Sequence, residues 1–88
     1  MHGKGTWRSL SSEHAALGAA VRETRARRGM SQEALGDASG LHRNYVGSIE
    51  RGEINPTFRT LLAVTGGLVV PLSALVLLYE RNVGEVSA

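Results

Sequence analysis

Arg43 and Asn44 stand side by side at the start of a short segment in which Gly47, Ser48 and Arg51 follow at intervals of three and four. On a helix of about 3.6 residues per turn these residues share one face, while Tyr45, Val46 and Ile49 share the other. A guanidinium can donate two hydrogen bonds to O6 and N7 of guanine, and a carboxamide can pair with N6 and N7 of adenine. Each such pair contributes about 1–3 kcal/mol of discrimination against the wrong base. The chemistry on offer is therefore reading of base edges by Arg43 and Asn44, with Ser48 as an added hydrogen-bonding group. Gly47 would act by absence, letting the helix sit close to a groove wall or a thymine methyl. His42 precedes the segment where a Ser, Thr or Asp cap is usual, so capping is expected to be weak and the ring free to meet phosphate, a base or only water. A polar face opposite an apolar one is also ordinary for a solvated surface helix.

These side chains need a scaffold, and the punctuation of the chain supplies one. Ser31 can cap a short helix running through Gln32 and Leu35 to about Ala38, and Gly40 can take the positive φ of a tight turn into the segment that carries Arg43. Two short helices joined by one small-residue turn make a helix-turn-helix. Upstream, Ser11 or Ser12 caps a first helix that runs to about Arg28 and is stopped by Gly29. Leu17, Val21 and Thr24 form its inward stripe beside Ala20, and Met30 closes the gap to the second helix. Downstream, Glu53-Ile54-Asn55-Pro56 is a breaker cluster, and Thr57 caps a fourth helix from Phe58 to Gly67 or Leu68. Phe58, Leu61, Leu62 and Val64 are its expected buried face, and Gly66-Gly67 should fray or bend its end. Pro71 opens a fifth helix from Leu72 to about Arg81, with Leu72, Leu75, Val76 and Tyr79 turned to the core. The expected organisation is a flexible arm over 1–10, carrying Trp7, one all-α five-helix domain over 11–81, and a disordered tail over 82–88.

From about Leu17 to Leu75 the chain resembles the lambdoid-phage repressor and Cro-like helix-turn-helix proteins, also called the XRE type. The anchor points are Arg22 and Arg25, Ser31-Gln32-Glu33, Ile49-Glu50-Arg51-Gly52, and Asn55-Pro56-Thr57 leading to Leu61-Leu62. The wording from Gly40 to Gly52 is most similar to the small controller regulators of restriction-modification systems. The resemblance implies a lambda-repressor-like fold and adds roles. Gln32 would meet a backbone phosphate at the start of the second helix. Arg51, the amides near Glu53 to Thr57, and Arg59 would hold another. Arg25 and Glu50 would form a partly buried ion pair that orients the reading helix.

Composition sets the limits. Eighty-eight residues hold one small core, close to the size at which dimerisation is expected. Without cysteine there are no disulfides and no thiol chemistry, and a reducing cytoplasm is the natural compartment. No apolar leader or membrane-length segment is evident. His2, His14 and His42 are too scattered for a metal site, no catalytic constellation is present, and no cofactor or small-molecule ligand is expected. The net charge of +2 is unevenly spread, with six basic against two acidic residues before Ser31 and a net −2 after it. Attraction to nucleic acid must then come from placement of arginines rather than bulk charge. Leu77 and Leu78 lie off the core stripe of the fifth helix and are expected to form a two-fold interface. The function expected is sequence-specific binding of double-stranded DNA by a homodimer on a near-palindromic operator. The alternative is a helix-turn-helix used as a protein-interaction module, an adaptor or antitoxin-like partner.

Overall fold

The computed structural model describes residues 9–87. Trp7 and most of the expected arm lie outside them. Five α-helices follow in order: α1 Ser12–Arg27, α2 Gln32–Ser39, α3 Arg43–Glu50, α4 Phe58–Leu68 and α5 Leu72–Ser87. Their starts follow from local chemistry. The hydroxyls of Ser11, Ser31 and Thr57 accept hydrogen bonds from the backbone N–H groups of His14, Ala34 and Thr60, at 3.1, 3.0 and 3.1 Å. α2 ends on Gly40 at φ 77°, the left-handed conformation that turns the chain toward α3.

Ala20, Val21, Leu35, Val46, Ile49, Val64, Leu68 and Leu75 form one buried cluster to which all five helices contribute. α1 crosses α3 at Gly18, where a β-carbon would stand 2.4 Å from the carbonyl oxygens of both Ile49 and Glu50. The two backbones touch there because nothing stands between them.

Four expectations about the last two helices are corrected by packing. Phe58 and Leu62 are 65% and 45% exposed, because Leu61, Val64 and Leu68 fill the face of α4 that meets the core. α4 runs unbroken through Gly66-Gly67 to Leu68, and Gly67 lies against Leu35 and Ser39 of α2. On α5 it is Leu78 that packs on the core cluster, while Val76 is 39% exposed. α5 also continues past Arg81 through Ser87. Arg81 bridges to Glu23 at 2.9 Å and Asn82 donates to the Ala16 carbonyl at 3.1 Å, so contacts with α1 hold turns that composition alone assigned to a tail.

Val69 closes α4 at φ 58°, a left-handed conformation that a β-branched residue adopts at a cost of about 1–2 kcal/mol. Its side chain is exposed. Val69→Gly is expected to stabilise the fold by about 1 kcal/mol after the entropy of the unfolded glycine is deducted. Thermal melts would measure this, and a lower midpoint for the variant would show that Val69 is not strained.

Candidate nucleic-acid interface

The exposed face is built by α3 lying across the start of α2. Val46 and Ile49 are fully buried and fix the rotation of α3 about its axis. His42, Arg43 and Asn44 are thereby exposed, and Ser48 is half-buried. Arg43 extends to within 3.9 Å of Glu33 on α2, an ion pair too long for a hydrogen bond.

Glu50, at the last turn of α3, is buried and fully partnered. Its carboxylate accepts from Nε of Arg25 at 2.6 Å, Nη2 of Arg25 at 3.0 Å and Nε2 of Gln32 at 2.9 Å. The third arm of Arg25, Nη1, donates to the Met30 carbonyl at 2.8 Å. One guanidinium thus ties α1, the α1–α2 loop and α3 together. The bonds to Glu50 hold the Arg25 pKa above its ordinary value, against a smaller opposing effect of burial.

Three details differ from what the sequence suggested. His42 caps α3 through its ring, with Nδ1 accepting from the Asn44 backbone N–H at 3.0 Å. That bond needs the tautomer protonated on Nε2, so only Nε2–H is left to reach a phosphate or base. Gly47 is buried, since Nη1 of Arg51 and the Gln32 carboxamide lie over it, at 3.0 and 3.4 Å from where a β-carbon would stand. Its missing side chain makes room for those two groups. The Glu53 amide, one of those expected to face phosphate, donates to the Ser48 carbonyl at 3.0 Å.

Gln32, expected to meet phosphate, also supports Glu50, which its sequence position did not reveal. Arg51 also pairs with Glu53, at 2.9 and 3.1 Å. Their separation of two residues is the only signal for it in the sequence. Arg59 is exposed in the first turn of α4. Among the described residues no group of His, Cys, Asp or Glu is arranged to hold a metal ion, and no single helix is long and apolar enough to cross a membrane.

Residues 21–75, from the second half of α1 through the α2–α3 pair and α4 to the first turn of α5, match the helix-turn-helix family. The chain belongs to this family. Within it, the architecture is that of the lambda-repressor and Cro-like DNA-binding regulators, not of an enzyme. The helix-turn-helix chain is 48% identical over 48 residues to the control protein C.SmaI of Serratia marcescens, covering 54% of this chain and 57% of that one. It is 37% identical over 60 residues to the immunity repressor of Bacillus phage phi105, covering 68% of this chain and 42% of the repressor. It therefore spans only about half the length of these curated relatives. The crystal structure of the restriction-modification controller protein C.AhdI from Aeromonas hydrophila superposes with a TM-score of 0.72 at 35% identity, covering 74% of this chain and 98% of that one.

Proposed function

We propose that this helix-turn-helix chain is a transcription regulator of the restriction-modification controller type, binding double-stranded DNA sequence-specifically as a homodimer on a near-palindromic operator. The observation that carries the reading is the exposed start of α3, where Arg43 and Asn44 are presented together by a helix whose opposite face carries the fully buried Val46 and Ile49. In this reading α3 lies in the major groove. Arg43, Asn44 and Ser48 read bases, and His42 adds a contact through Nε2. Gln32, at the positive end of the α2 dipole, grips phosphate with Arg51 and Arg59. The likeness to C.SmaI and C.AhdI supports the controller role.

A single module of this size gathers few contacts, and pairing across a two-fold axis doubles them. The interface expected on Leu77 and Leu78 divides, since Leu77 is 66% exposed but Leu78 is packed on the core. Phe58 and Leu62, one turn apart on α4, are better placed. α4 follows the reading helix across the 51–57 loop, and its Leu61 lines a cleft of about 320 Å³ with Leu72 and Val76 of α5. Reading two half-sites requires the two reading helices of the dimer to stand about 34 Å apart, one turn of DNA.

Selection of duplexes from a random pool, followed by binding of two variants, tests the reading. Arg43→Ala is expected to change which sequence is preferred, with about 10-fold or greater loss of discrimination at one base pair per half-site. Gln32→Ala should weaken all duplexes by a similar factor. In sedimentation, the parent should have the mass of a dimer and Phe58→Glu combined with Leu62→Glu that of a monomer. Feeble, salt-insensitive binding to every duplex would favour a protein-interaction module instead. Dissociation by Leu77→Glu alone would move the interface to the other side of α5.

A further inference from the structure

The ion pair between Arg51 and Glu53 opposes the role of Arg51 as a phosphate grip. The Arg51 fork donates from Nε to one carboxylate oxygen of Glu53 at 2.9 Å and from Nη2 to the other at 3.1 Å. This is the two-donor geometry with which a guanidinium holds a phosphate. Glu53 is anchored, with its backbone N–H on the Ser48 carbonyl and its side chain only 21% exposed. Arg51 is the more exposed partner and lies over Gly47 on the outward face of α3. The hydrogen bonds that Arg51 donates to Glu53 hold its pKa above its ordinary value, so the guanidinium stays charged and protonation is not the variable.

We infer that Glu53 competes with a DNA phosphate for the Arg51 guanidinium and so limits the affinity of the chain for all duplexes, a role that rests on the proposed binding of DNA. A phosphate approaching Arg51 must displace the carboxylate or share the guanidinium with it, and the displaced carboxylate is left beside a second negative charge. Because the phosphate grip carries no sequence information, this cost lowers binding to operator and non-operator DNA alike. The ratio between them is untouched. Glu33 provides the contrast, standing 3.9 Å from Arg43 without a hydrogen bond and so unable to occupy that fork.

The test is Glu53→Gln made in the parent chain and again in an Arg51→Ala background, each measured on the selected duplex and on an unrelated duplex over a range of salt. The Glu53 side chain is only partly exposed, and thermal melts verify that each variant is folded. In the parent background, roughly two- to fivefold tighter binding to both duplexes is expected, with their affinity ratio unchanged. In the Arg51→Ala background Glu53→Gln should have no effect. Equal gains in both backgrounds would overturn the inference, because removal of charge anywhere on the face would then suffice. Unchanged or weaker binding in the parent background would overturn it as well, by making Glu53 a support for Arg51. Failure of the parent to bind any duplex would instead reject the DNA-binding reading, and this inference with it.

Discussion

Glu50→Ala is expected to destabilise the fold by about 3 kcal/mol, because breaking a buried pair leaves its other charge uncompensated. Arg25 would keep its bond to the Met30 carbonyl but lose both bonds to Glu50, with its own side chain only 16% exposed. Gln32 would lose the acceptor of its amide. A domain of this size has a total stability of order 4–13 kcal/mol, so the loss is a large part of it and should lower the melting midpoint by roughly 10–20 °C. Glu50→Gln keeps the volume and one acceptor oxygen, and should fall between parent and alanine variant. Thermal melts of the three proteins decide the matter. A midpoint for Glu50→Ala equal to that of the parent would mean that solvent compensates Arg25 as well as Glu50 does. In the same samples, loss of helical signal at temperatures below the melt would show whether the bridge also holds α3 in place.

Gly18→Ala is expected to cost about 2–4 kcal/mol, an unusually large effect for one methyl group. The added carbon would meet two backbone carbonyl oxygens at 2.4 Å, and backbone atoms cannot rotate aside as a side chain does. Relief requires α1 and α3 to separate by about 1 Å, since non-bonded heavy atoms are at their best separation near 3.5–4.0 Å. That separation would also lengthen the Arg25–Glu50 bonds. Gly18→Ala and Glu50→Ala should therefore combine to less than the sum of their separate costs. Gly66 offers the control, because a β-carbon there meets no atom within 4 Å and the residue is exposed in α4. Gly66→Ala should leave stability unchanged or raise it by up to about 1 kcal/mol through helix propensity. Urea titrations of both variants would check the opposite signs, and equal effects would show that the α1–α3 contact yields easily.

The helix boundaries near Ser11, Ser31, Gly40 and Thr57 were legible in the sequence because caps and turns are made by residues within four positions of one another. The exposure of Arg43 and Asn44 followed in the same way, from the burial of Val46 and Ile49 on the same short helix. The pairing of Arg25 with Glu50 is 25 positions long, and only a family resemblance could suggest it. What the tertiary structure alone decided is where the broad apolar faces point. Periodicity says that α4 and α5 each have such a face, but a helix with leucine or valine on more than one side can turn by a fraction of a rotation and still bury a stripe. Contact with α1 and α2 selected the rotation that turns Leu78 inward and Val76 outward, and left Phe58 and Leu62 on the surface. The same contacts accompany the extension of α5 past Arg81, since Glu23 anchors Arg81 and the Ala16 carbonyl rewards a helical Asn82 that local propensity does not favour. Glycines divide along the same line. Gly40 is required by its own φ, whereas Gly18 is required by backbone atoms that come from elsewhere in the chain, and no local pattern records it.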